Sequence, residues 1–188
     1  QYQRPRSYAV KPFDLDLEIG GSIRSLSELL PPGKRVAIMQ WSGDTSPFEK
    51  VLQMTAAAGV RNINGGDPRM DGVFRSYAQL SPVGLSVGRF WQVYSSGGNE
   101  NIYTDNWRAR FYAYRNLVET LKNAETPIRL KPINVYYHFY IVEREDSLNS
   151  LRYVLGYART QGIAPITTSH YGGVADGFFA NRIIALGE

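Results

Sequence analysis

The chain has 188 residues and a formal net charge of +4, enough for one domain of ordinary size with a substantial core. Its hydrophobic share of 43% and charged share of 20% are those of a globular protein; its Lys and Arg residues are scattered, which argues against nucleic acid as a partner and for a solvated basic surface suited to an anionic glycan or envelope setting. The absence of cysteine excludes disulfides, cysteine-ligated zinc and a thiol nucleophile, and no apolar run approaches the roughly 18 residues of a membrane span.

The polar start QYQRPRSY and the stop directly after an apolar run at 183–186 both read as cuts from something longer. Asp16 is the expected cap of a helix whose positions Ile19, Ile23, Leu26 and Leu30 follow helical spacing, ended by Pro31-Pro32-Gly33 and weakened by Gly20-Gly21. RVAIMQ, residues 35–40, reads as a strand running into the loop Trp41-Ser42-Gly43-Asp44. Ser46-Pro47-Phe48-Glu49 predicts a helix start with a capping serine, and Gly59 its end, with a strand over 60–64 next. Residues 73–80 hold at most a short helix, and RFWQVY, residues 89–94, is a third strand. Asp105 is the expected cap of a helix with Phe111, Tyr114, Val118 and Leu121 on one face, and Trp107 reads as core.

Residues 131–140, KPINVYYHFY, are the most strand-like of the chain, with Ile133, Val135, Tyr137 and Phe139 alternating against Asn134, Tyr136, His138 and Tyr140. Ser147 caps a helix carrying Leu148, Leu151, Leu155 and Ala158, ended by Gly162; 163–168 is a fifth strand leading to His170, a loop residue, and 174–180 a short helix. Strands alternating with helices predict parallel pairing and an α/β fold, either an open doubly wound sheet or part of a barrel.

Asp44, Asn64, Asp67, Asn99, Glu100, His138 and His170 all fall at or beyond C-terminal strand ends, the edge where α/β folds build ligand sites. Each is also an ordinary loop former, so it is their coincidence that predicts a shared cleft. His138, on the polar face near a strand end, is the candidate acid or base. The two histidines lie 32 positions apart with no HxxxH or HExxH, so the residues offer no local metal cluster. Asp44, Asp67 and Glu100 are candidate paired carboxylates for glycoside hydrolysis, and Trp41 a candidate sugar-stacking residue beside Asp44.

The strings FDLDLEIGGSI (13–23), LLPPGKR (29–35), QWSGD (40–44), NINGGD (62–67), NENIYT (99–104) and RLKPINVYYHFY (129–140) resemble the polysaccharide deacetylase (carbohydrate esterase) superfamily, as the second half of its catalytic domain. The resemblance implies the C-terminal portion of an incomplete (β/α) barrel of the glycoside hydrolase/deacetylase type, and an N-deacetylase acting on an N-acetylhexosamine-containing exopolysaccharide of a Pel-like biofilm matrix. In that family an Asp and two His hold a divalent metal, zinc by preference, another Asp is the base, and a late His is the acid. QWSGD stands where the groove-wall motif falls, NGGD where the Asp-x-x-Asp-Trp motif falls, and VYYHF matches the late Leu-x-His motif.

The match implies His138 as general acid, Trp41 and Asp44 as groove wall, and Asp67 as support of the site; strand-end position adds Asn64 and Glu100, and the polar strand face adds Tyr136, as substrate-binding or supporting residues. The chain departs from the family in lacking the early Asp-Asp and His-x-x-x-His motifs and in carrying Gln40 where the groove-wall Arg belongs. The metal ligands and base are therefore expected upstream of residue 1, in a longer multidomain protein, and the isolated chain is expected to be inactive. The resemblance further implies a periplasmic or secreted protein partnered by its exopolysaccharide and by other exopolysaccharide secretion proteins. Two other readings stand beside it: a non-catalytic glycan-binding module lined by Trp41, Trp91 and tyrosines, and a glycosidase using two of the carboxylates.

Overall fold

The computed structural model describes residues 14–43 and 45–184, which divide into two compact units, one drawing on 14–65, 84–93 and 166–184 and the other on 66–83 and 94–165. The described residues hold five α-helices and two small sheets, a mixed α/β protein.

In the first unit the opening helix is capped by Asp14 rather than Asp16: the Asp14 carboxylate accepts the backbone N–H groups of Asp16 at 2.9 Å and Leu17 at 3.2 Å. The Gly20-Gly21 pair falls in a widened π-turn, Asp16–Gly21, before regular α1, Ser22–Glu28. Strand β1, Ile38–Gln40, is followed by α2, Glu49–Ala57, and strand β2, Arg61–Ile63, which pairs with β1 in parallel, Ile38 opposite Arg61. This is the crossover that strand–helix alternation predicts. Helix α2 starts later than its Ser46-Pro47 signal, because Pro47 is spent as a buried residue of the extended entry. It ends as expected at Gly59, whose φ of 67° suits glycine.

The expected parallel third strand is instead antiparallel. Strand β3, Gly84–Val87, turns through Gly88-Arg89 into β4, Phe90–Val93, with Gly84 opposite Val93. Gly88 has φ of 61°, and a Cβ there would run into the Glu49 carboxylate, which accepts the Arg89 N–H at 3.0 Å. The tight glycine turn thus folds the strand back on its predecessor where a long crossover was expected. Residues 163–167 form no strand, since Pro165 cannot donate to a ladder and the Thr167 hydroxyl accepts the His170 N–H at 3.2 Å, starting helix α5, Thr168–Ala180. His170 is therefore an exposed residue of a helix's first turn rather than a loop residue.

The second unit is centred on Tyr114, Leu117, Ile141 and Val154, each fully buried. They come from a 3-10 turn, Phe111–Asn116, leading into α3, Leu117–Asn123, from a second turn, Phe139–Glu143, and from α4, Glu145–Arg159. The Phe111, Tyr114, Val118, Leu121 face contributes to this core, but the helix begins after Asp105, because residues 105–107 all adopt positive φ. Trp107 is packed against the core, as expected, from a turn rather than a helix. Ser147 is not a cap but a buried helical residue whose hydroxyl donates to the Phe111 carbonyl at 2.9 Å. The segment predicted as the strongest strand, 133–140, is extended over 132–138 without a ladder partner among the described residues and turns into 3-10 helix at Phe139. Its alternation survives without a sheet: Ile133, Val135 and Tyr137 pack on the core, whereas Phe139 is 87% exposed.

Two glycines make a contrasting test. Gly88→Ala is expected to lower unfolding stability by about 1–2 kcal/mol, from the left-handed φ and the crowding carboxylate. Gly156→Ala, in α4 with no atom within 4 Å of its Cβ position, is expected to raise it by about 0.5–1 kcal/mol. Urea unfolding of the two variants checks both signs.

Lys131 is buried, its ammonium donates to the Pro82 carbonyl at 2.6 Å, and burial lowers its pKa from 10.5 to about 8. Between pH 8 and 10.5 the unfolded chain holds a proton there that the folded chain has lost, so Lys131 makes stability rise with pH across that window. Lys131→Met is expected to remove that rise, read as the difference between urea midpoints measured at pH 8 and pH 10.

Candidate functional site

The sequence-predicted residues divide between the two units. In the first, Trp41 follows β1 and Asn64 follows β2, and both are spent on the strand ends. The Trp41 indole N–H donates to Asn62 Oδ1 at 3.0 Å, and Asn64 Nδ2 donates to the Trp41 carbonyl at 2.6 Å. Asn64 is buried with φ of 105°, and its N–H donates to the Val93 carbonyl at 3.0 Å, so it holds β2 beside β4. Asp44 lies outside the described residues.

In the second unit Glu100, His138 and Tyr136 come together, while Asp67 is exposed with φ of 30°. The approach begins with the buried loop Ser95-Ser96-Gly97-Gly98. A Cβ on Gly97 would strike the Asn134 carbonyl and one on Gly98 would strike Ile102, so the glycines let the loop run against the extended segment 132–138. Asn99 then accepts the Asn101 N–H at 2.9 Å and opens a single 3-10 turn, Glu100–Ile102, while the Thr104 hydroxyl donates back to the Glu100 carbonyl at 2.8 Å. On the facing segment the Tyr114 hydroxyl, projecting from the core, donates to the Tyr136 carbonyl at 2.7 Å. Both sides of the site are thereby fixed by buried groups.

Between them, Glu100 is fully buried and both of its oxygens are engaged by one residue. The backbone N–H of His138 donates to Oε2 at 3.1 Å and Nδ1 lies 2.6 Å from Oε1. The His138 side chain is 33% exposed. The Tyr140 ring stacks on the imidazole at 4.9 Å with 7° between planes, and Tyr136 lies on it at 5.5 Å. The Tyr140 hydroxyl donates to Asn101 Oδ1 at 3.0 Å and is 3.1 Å from His138 Nδ1. Burial first, and then the Glu100 charge, push that hydroxyl up to about 12, so it remains protonated at neutral pH.

The tautomer follows from donor and acceptor counting. A buried carboxylate requires donors; the backbone N–H supplies one and Nδ1–H the other, while the Tyr140 proton is spent on Asn101. Nδ1–H toward Oε1 is the tautomer that this pairing favours, and Nε2 is the ring nitrogen left outside it. This is the arrangement by which a carboxylate orients a histidine for general acid or base work. Among the described residues no three His, Asp or Glu side chains converge as a metal-holding group. The Glu100 contact occupies Nδ1 and leaves Nε2 of His138 as the open ring nitrogen, which suits proton transfer.

No protein-family model, no curated protein and no solved structure matches the chain.

Sequence reasoning named Glu100 and His138 separately and did not pair them, because 38 residues intervene and the loop's close approach is a backbone effect. It did not assign Tyr140 or Asn101 to the site, although Tyr140 stood on the same face of the segment as His138. In Glu100→Gln the amide oxygen must still accept the fixed His138 N–H, which turns the amide NH2 toward Nδ1. The neutral imidazole is then expected to change from the Nδ1–H to the Nε2–H tautomer, which 15N NMR of the histidine ring distinguishes.

Proposed function

We propose that the chain is the groove-wall and general-acid portion of a polysaccharide N-deacetylase acting on an N-acetylhexosamine-containing exopolysaccharide, within an incomplete (β/α) barrel of a periplasmic or secreted protein. In this reading its strings are taken as similar to those of the deacetylase domain of PelA, the Pel exopolysaccharide hydrolase and deacetylase. The observation that carries the reading is the 2.6 Å contact between a fully buried Glu100 and a partly exposed His138 on the segment that resembles the late catalytic motif.

In this reading His138 begins as the imidazolium, with Nδ1–H held by Glu100 and Nε2–H directed at the substrate. Water adds to the acetamide carbonyl carbon; as the carbon–nitrogen bond then breaks and acetate is released, Nε2 passes its proton to the departing amine, and the imidazole is left neutral with Nδ1–H still on Glu100. Glu100 stabilises the cationic form before transfer and holds the ring throughout. The divalent metal of the deacetylase reading, zinc by preference, would take its ligands from outside the described residues. Trp41 and Asp44 remain proposed for the groove wall, and Asp67 for support. The glycosidase reading loses support at Glu100, since both of its oxygens face His138 and it has no exposure to a sugar.

In the full-length enzyme His138→Ala is expected to lower acetate release from an acetylated hexosamine polymer by about 10²–10⁴-fold, with metal content and fold intact. Acetate release without new reducing ends separates deacetylation from chain cleavage. Full activity in His138→Ala, or loss of metal together with activity, would remove the general-acid assignment.

A further inference from the structure

A cavity of about 630 Å3 opens in the first unit between the C-terminal ends of α2 and α5 and the starts of β2 and β4. That volume lies within the range of small-molecule sites. Its lining includes the buried residues Leu52, Thr55 and Val60. Trp91 also lines it and is held in place: its ring stacks on Phe179 at 5.3 Å and 15°, and its indole N–H donates to Asp176 Oδ1 at 3.0 Å. The other Asp176 oxygen holds Arg61 Nε at 2.6 Å.

The charge around the cavity is unbalanced. Three arginines, Arg35, Arg61 and Arg89, and one carboxylate, Asp176, line it, a difference of 3 − 1 = +2. Asp176 is spent on Arg61 and Trp91, and Arg61 uses only Nε in that pair. The guanidinium groups of Arg35 and Arg89 have no ion pair among the described residues; Glu49 accepts the Arg89 backbone N–H instead. Two helix C-termini each contribute about half a negative charge, which explains part of the arginine placement but leaves the balance positive. Guanidinium forks match oxyanions bidentately, and an indole beside an apolar floor accepts the C–H face of a sugar ring.

We propose that this cavity binds an anionic sugar, a pyranose bearing a carboxylate or a phosphate, with its ring against Trp91 and its oxyanion on Arg35, Arg61 and Arg89. The site is independent of His138 and of the deacetylase reading.

The test is calorimetric titration of the whole chain with a glucuronate disaccharide, glucose 6-phosphate and neutral N-acetylglucosamine. At least one acidic sugar is expected to bind, more weakly as salt rises, and the neutral sugar at least tenfold more weakly; the tighter of the two acidic sugars identifies the oxyanion. Arg35→Ala/Arg89→Ala removes two exposed side chains and is expected to weaken binding tenfold or more at an unchanged thermal midpoint. Gly177→Leu, at a lining position whose Cβ would meet no atom within 4 Å, is expected to obstruct the cavity and weaken binding similarly. Absence of binding by both acidic sugars, equal binding of the neutral sugar, or wild-type affinity in both variants would overturn the proposal.

Discussion

A carboxylate with no exposure costs several kcal/mol unless its charge is answered, and in this chain His138 answers Glu100 through both backbone and ring, with the Tyr140 hydroxyl beside them. Much of the second unit converges on that requirement. Gly97 and Gly98 allow the backbone approach, Asn99 and Thr104 fix the turn that carries Glu100, and Tyr114 reaches from the core to hold Tyr136 two residues before the histidine. The stacked Tyr140 ring and its bond to Asn101 limit the imidazole further. The burial that makes the carboxylate costly also makes its field on the imidazole strong, because little water is present to screen it.

Local chemistry was the most legible part of the sequence. The Gly59 helix end, the crossover from β1 through α2 to β2, and the inward set Ile133, Val135 and Tyr137 all follow from residue type and period. What was not legible depended on pairing. Residues 89–94 look alike whether their neighbour runs parallel or antiparallel, and the deciding feature is a two-residue turn with a glycine at positive φ. Residues 133–138 have the composition of a buried strand, yet composition carries no information on whether a partner strand is present. Capping signals misled by a few residues: Asp14 took the role expected of Asp16, and Ser147 is buried inside its helix with its hydroxyl on the Phe111 carbonyl.

The candidate site divides along the same line. His138 stood out because histidine is rare in this chain and because of the polar face it occupies, and Glu100 because it follows a glycine-rich loop. Their pairing depends on the missing Cβ atoms of Gly97 and Gly98, which matter only once the facing backbone is known. Trp41 and Asn64 carried the composition of a binding loop, but their polar atoms turn inward to the strand ends.

The first unit is interrupted in sequence by the second, and its last helix arrives late: Arg61 waits 115 residues for Asp176. A ribosome therefore delivers every residue of the second unit before α5 can dock on β2 and β4. During synthesis the second unit can close its core around Tyr114 and Ile141 while the first still exposes the surface that α5 will cover. The emergence of α5 thus governs when the faces of β2 and β4 that it covers become protected from aggregation.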